Sequence, residues 1–132
     1  MNILKGKIKT IKSSGSLSLV TIDIQGIFFS TIILETPSTA SYLIPENQIK
    51  VIFKETEVII GKDIEHAISI QNKIAGKILE IKKGDLLSKL TIETRIGRLI
   101  AVITSDILYQ LQLEINENII AMVKTTEIML SE

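Results

Sequence analysis

No cysteine occurs among the 132 residues, which excludes a disulfide framework, a thiolate metal site and a cysteine nucleophile. Tryptophan is absent and aromatic residues make up only 4% of the chain. Neither sign of charge is in surplus, because 15 basic and 15 acidic residues cancel. A general DNA or RNA binder draws much of its affinity from phosphate neutralisation and carries a basic excess. The balance counts against that class, yet leaves room for a small anion held by a local cluster of donors. Long apolar runs are also missing, none approaching the roughly 20 residues that span a bilayer. Lys5, Gly6, Lys7, Lys9 and Lys12 interrupt any signal-like core near the start. The expectation is a soluble, cytoplasmic protein with no membrane partner.

Chemistry-bearing motifs are scarce too. His66 is the single histidine, Gly15 and Gly84 are isolated turn glycines rather than a phosphate loop, and the carboxylates are scattered. No arrangement suggests acid/base or nucleophilic work. The chain is read as a binding protein, not an enzyme.

Isoleucine dominates the 45% of residues that are hydrophobic. Branching at Cβ suits a pleated surface, so composition leans towards β structure. A repeat organises it. Shifting the sequence by 70 positions without gaps superposes Asn2, Gly6, Lys7, Ile8, Ile11 and Lys12 on Asn72, Gly76, Lys77, Ile78, Ile81 and Lys82. Leu17, Ser18, Thr21 and Ile22 meet Leu87, Ser88, Thr91 and Ile92, while Lys54, Thr56 and Glu57 meet Lys124, Thr126 and Glu127. Shared composition would not hold these polar sets in one register. The units are 1–60 and 69–132, joined by a linker over 61–68.

Each unit reads mainly as strands. Val20, Ile22 and Ile24 alternate with Thr21 and Asp23, as Leu90 and Ile92 do around Thr91. Further strand-like runs are 27–34 with 99–103, 49–53 with 119–123, and 58–60 with 128–130. Gly26 and Gly97 mark hairpin turns displaced by one position. A short helix is expected in both units, after Thr36-Pro37-Ser38 in the first and after Ser105-Asp106 in the second. The fold class expected is all-β, with two tandem OB-like five-stranded β-barrels, each carrying one short helix. Barrels of about 60 residues have a poor ratio of core to surface, so leftover apolar area points to an oligomer.

The distinctive polar feature lies at the ends of each unit. Unit two opens with Ser69-Ile70-Gln71-Asn72 and closes with Lys124-Thr125-Thr126-Glu127; unit one has Asn2 and Lys54-Glu55-Thr56-Glu57. A tetrahedral oxyanion offers only acceptors, so it needs converging ammonium, hydroxyl and amide donors. A solvated lysine in an ordinary strand connection is the plain alternative.

On Ser69, Asn72, Gly76, Lys77, Thr104, Lys124, Thr125, Thr126, Glu127 and Ile128, unit two resembles the Mop (TOBE) family of small molybdate- or tungstate-binding domains. The tandem arrangement is similar to that family's two-domain form. The resemblance implies OB-like barrels around a threefold axis, a homo-trimer or higher homo-oligomer, and oxyanions bound between subunits. Molybdate or tungstate would be the bound group, with no protein-ligated metal ion. Oxyanion-binding positions implied are Ser69, Gln71, Asn72, Thr104, Lys124, Thr125, Thr126, Lys54, Thr56 and Asn2. Departures stand at Gln71, where the family has arginine, and at Leu34 and Glu55, where unit two has Thr104 and Thr125.

Three readings compete. The first is an intracellular oxyanion-binding protein for storage or homeostasis. The second is an oligomerising or regulatory module of the same fold without ligand, favoured by Gln71 and Glu55. The third, a nucleic-acid-binding barrel, would have only Phe28, Phe29, Phe53, Tyr42 and Tyr109 for base stacking, and Phe53 reads as core.

Overall fold

The computed structural model describes residues 1–62 and 67–132. His66 and the centre of the linker therefore lie outside the described residues. Unit one supplies strands β1 (Asn2–Ser14), β2 (Leu17–Ile24), β3 (Ile27–Ile33), β4 (Gln48–Phe53) and β5 (Ile59–Gly61), with a 3-10 turn at Glu55–Glu57. Unit two supplies β6 (Asn72–Lys82), β7 (Leu87–Thr94), β8 (Gly97–Thr104), helix α1 (Ser105–Gln110), β9 (Asn118–Val123) and β10 (Met129–Ser131), with a 3-10 turn at Thr125–Glu127. The period-2 pattern acts as expected: Ser18, Val20, Ile22 and Ile24 of β2 face inward, as do Ser88, Leu90, Ile92 and Thr94 of β7.

These strands form two antiparallel five-stranded sheets, but the sheets do not coincide with the sequence units. Their orders are β10-β4-β1-β2-β3 and β5-β9-β6-β7-β8. Each unit gives its last strand to the other: Ile59 of β5 lies opposite Met122, and Met129 of β10 lies opposite Ile52. The core is correspondingly continuous. Phe29 and Phe53 of unit one, with ring centroids 6.3 Å apart, belong to one apolar cluster with Leu99, Ala121 and Val123 of unit two. Sharing a core answers the surface-to-volume problem of two very small units. The ladders leave both sheets open, since no ladder joins β3 to β10 or β8 to β5 among the described residues.

The long first strand of each unit shifts register at the same repeat position, between Ile8 and Thr10 and between Ile78 and Glu80. The glycines just before these bulges are required by close approach. A Cβ on Gly6 would lie 2.6 Å from the Asp23 carbonyl oxygen, and one on Gly76 would lie 2.9 Å from that of Glu93. The hairpin glycines explain their own displacement. Gln25 and Gly26 both have positive φ, 51° and 91°, the pair that a tight two-residue hairpin with matching twist demands. In unit two the turn residues are Arg95 and Ile96, and Gly97 (φ 119°) opens the next strand.

The expected helix of unit one is not there. Residues 37–39 make a single turn, in which the Thr36 carbonyl accepts from the amides of Thr39 and Ala40 at 2.9 Å each. Helix α1 begins at Thr104, whose hydroxyl accepts from the Ile107 amide at 3.3 Å. The equivalent position in unit one is Leu34, which has no acceptor with which to cap a helix. Thr39 also turns its hydroxyl onto the Thr36 backbone, accepting from the Thr36 amide at 2.9 Å, a local bond that competes with helix continuation. Leu43 and Leu113 are nevertheless buried at corresponding places, so the segment keeps its packing function without the helix. No helix is long and apolar enough to cross a membrane among the described residues.

Candidate functional site

Strand register brings the two ends of unit two together. Asn72 lies opposite Val123 across β6 and β9, so Gln71, just before β6, and Lys124, just after β9, share one end of the sheet. Lys124 caps the 3-10 turn Thr125–Glu127 in an extended conformation, with the Glu127 amide donating to its carbonyl at 3.1 Å. Ser69, Gln71, Lys124 and Thr126 are exposed, and Thr125 is half-buried. An ammonium and hydroxyls on a fixed turn can serve an acceptor-only anion.

The turn does not stand on its own unit alone. Because β10 crosses to the other sheet, the chain leaving Lys124 packs against β3 of unit one. The buried Thr31 hydroxyl shares its proton between the carbonyls of Thr125, at 3.1 Å, and Ile128, at 3.0 Å. Sequence reasoning missed Thr31. Its signal is a hydroxyl at an inward position of a strand whose repeat partner is the buried Ala101.

The side chains of Asn2 and Asn72 each hydrogen-bond to the backbone of the other unit. The Asn72 amide donates to the Ser30 carbonyl at 2.9 Å and accepts from the Ser30 amide at 2.6 Å. Asn2 repeats this with Ile100 at 2.9 and 2.8 Å. Ser30 and Ile100 are themselves repeat equivalents, so the two units clasp each other by a pair of pseudo-symmetric amide latches.

Unit one presents a contrasting end. Lys54 and Thr56 are exposed, but Glu55 lies between them, its Oε2 3.3 Å from the amino group of Met1. That carboxylate opposes a dianion. Thr104 is not brought to Lys124. With Thr56 it lines a groove of about 530 Å³, whose other walls include Ile59, Leu87, Val102 and Ile107. Leu34, its counterpart after β3, is 79% exposed.

The aromatics divide as core and isolated surface rings. Phe29 and Phe53 are buried, Lys9 lies over Phe28 at 5.1 Å and Lys83 over Tyr109 at 5.6 Å. Tyr42 donates to Glu35 Oε1 at 2.6 Å, and burial, reinforced by that carboxylate, pushes its hydroxyl up to about 12. Among the described residues no buried side-chain nitrogen or oxygen lacks a hydrogen-bond partner.

Residues 68–130 match the TOBE domain. Over 98% of this chain and 94% of the other, the fold superposes on a crystal form of the cytoplasmic molybdate-binding protein ModG with molybdate bound, at a TM-score of 0.90 and 19% identity. A molybdate-binding protein from Sporomusa ovata aligns with 51% of this chain and 100% of its own, at 31% identity and a TM-score of 0.49. MopII from Clostridium pasteurianum aligns with 50% of this chain and 100% of its own, at 25% identity and a TM-score of 0.48. No curated protein matches the sequence.

Proposed function

From a chain that belongs to the TOBE domain family through residues 68–130, we propose a protein that binds molybdate or tungstate and carries out no catalysis. The observation that carries this reading is the exposed Lys124-Thr125-Thr126 turn, held in place by Thr31 beside the Ser69–Gln71 arm. Lys124 supplies the charge, and Thr125 and Thr126 supply hydroxyl donors. Ser69 and Gln71, from the arm beside this turn, add donors, and the site closes against a neighbouring subunit. Asn2 and Asn72 act by holding the arms, not by touching the ion. The Lys54–Thr56 turn makes a weaker site because Glu55 stands inside it.

The protein works as a homo-trimer in the cytoplasm, storing or buffering the oxyanion. Exposed Leu34, Ile59, Leu87 and Tyr109 provide the apolar surface for closed cyclic contacts. The OB-like barrel is part of this reading, with the 3-10 turns packed between the open edges of the sheets. Glu55 and Gln71 would also suit a module that oligomerises without ligand, and one experiment separates the two. Calorimetric titration with molybdate, tungstate, sulfate and phosphate in parallel, with light scattering on the same samples, should give tight binding of the first two by a trimer. A monomer, or equal heats from sulfate, would end the oxyanion reading. At a hundredfold excess over Kd, bound molybdate should stabilise the fold by about 2.7 kcal/mol.

A further inference from the structure

A second groove, remote from the Lys124 turn, is lined by none of the residues discussed as oxyanion donors. Strands β6 and β9, the β7–β8 turn and the residue after β5 enclose about 530 Å³, within the ~300–1,000 Å³ typical of small-molecule sites. Its lining combines apolar Ala75, Ile119 and Ile120 with three cations, Lys62, Lys77 and Arg95, contributed by three separate segments, and one carboxylate, Glu93.

The repeat supplies an internal control. The corresponding groove of unit one, lined by Lys5, Gln48, Ile49, Lys50 and Glu132, encloses only about 120 Å³. Lysine side chains occupy the places of Ala75 and Ile120, and glutamate stands in the place of Lys62. Gln25 is the counterpart of Arg95. Unit two has thus cleared the interior of its groove and kept positive charge around it.

That charge is available. Glu93 Oε2 is matched by Arg98 Nε at 3.1 Å, and Glu117 Oε2 by Lys62 Nζ at 2.9 Å. Lys77 and Arg95 enter no ion pair among the described residues. Arg95 is nonetheless fixed in position, its Nη2 donating to the Gln25 carbonyl at 2.7 Å, which leaves most of its five N–H donors for a ligand. Two cations beside an apolar wall suit an anion that carries a carbon skeleton better than a bare oxyanion.

We propose that this groove binds a small organic phosphate, with the phosphoryl group against Lys77 and Arg95 and the apolar or planar part against Ala75 and Ile120. The proposal does not depend on the oxyanion reading. Phenyl phosphate is a suitable probe, titrated into the full-length 15N-labelled protein beside inorganic phosphate and molybdate. Amides of Ala75, Lys77, Thr94 and Asn118 should shift with phenyl phosphate, and at least tenfold less inorganic phosphate should be bound at equal concentration. Two variants borrow the residues that unit one already tolerates. Arg95→Gln should weaken phenyl phosphate about tenfold, the loss of one charge-assisted bond. Ala75→Lys should abolish binding by filling the groove. Both should bind molybdate like the parent, whereas Lys124→Ala should bind phenyl phosphate like the parent. Phenyl phosphate shifts that are absent at millimolar concentration, that survive Ala75→Lys, or that inorganic phosphate reproduces equally would overturn the assignment.

Discussion

The side chain of Asn72 treats Ser30 as a neighbouring strand would, accepting from its amide at 2.6 Å and donating to its carbonyl at 2.9 Å. Strand β3 is the edge of its sheet, and a buried edge with unpaired backbone is costly. One amide side chain from the other unit satisfies both groups. Asn72→Ala removes both partners and should cost about 1–3 kcal/mol, because each half-buried backbone group left unpaired carries part of the desolvation penalty. Urea unfolding measures it. Asn72→Asp keeps the acceptor and loses the donor, so it should fall between the parent and the alanine variant. Equal stability of all three proteins would mean that the latch contributes nothing.

The latch bears on how far the sequence could be read. The 70-residue register located four of the five strand pairs, since alternation and turn glycines are local properties, while the long first strands β1 and β6 carried no run of their own. Asn2 and Asn72 stood out in the same register, but as members of a polar motif, with no sign that their partners lay in the opposite unit. The strand exchange was hidden for a related reason. Residues 59–61 and 129–131 are repeat equivalents, so either could complete either sheet with the same register and the same faces inward. Pattern cannot choose between them. The unit-one helix failed for a legible cause: Leu34 replaces the capping Thr104, a difference visible in the sequence but outweighed by the Pro37 start signal. Lys124 and the hydroxyls after it stand out by residue chemistry as a cluster of donors, whereas Thr31, 93 positions away and bonded to that turn, carries no such local signal.

Thr31 should couple the two units to the turn. Its hydroxyl has no other role, so Thr31→Val preserves shape and removes the bond shared by the Thr125 and Ile128 carbonyls. A loss of about 1–2 kcal/mol in stability is expected. Molybdate affinity should fall severalfold, because the turn that presents Lys124 loses its tether. The complementary change Ala101→Thr, at the equivalent position, should leave affinity at the Lys124 turn unaltered. Calorimetry on both variants, alongside urea unfolding, tests this; unchanged affinity in Thr31→Val would show that the tether is dispensable.

Tyr42 gives a pH-dependent signature. Its hydroxyl is raised from 10.0 to about 12, first by burial and then by the bond to Glu35. A raised folded-state value means that the stabilisation is complete below pH 10 and fades as pH rises towards 12. Part of the tyrosinate absorbance of the parent protein should therefore appear only in a late stage, as pH approaches 12. In Tyr42→Phe the late stage should vanish, and in Glu35→Gln it should move to lower pH. A parent protein without that late rise would show that the Tyr42–Glu35 bond is not held in solution.

Lys124 and Lys54 offer the sharpest test of the site. Both end the fourth strand of their unit and both cap a 3-10 turn in extended conformation. A purely structural role predicts similar effects from removing either one. The oxyanion reading predicts asymmetry, since Thr125 and Thr126 follow Lys124 whereas Glu55 follows Lys54 and is paired with the Met1 amino group at 3.3 Å. A charge-assisted hydrogen bond contributes about 1.5–3 kcal/mol. Lys124→Ala should accordingly weaken molybdate by about ten- to a hundredfold while light scattering still reports the parent's oligomer. Lys54→Ala should change that affinity little. Glu55→Thr, which copies Thr125 into unit one, should strengthen binding there and make a subsequent Lys54→Ala costly. If both lysine variants bind like the parent, the Lys-Thr-Thr turn is a strand connection and the oxyanion is held elsewhere.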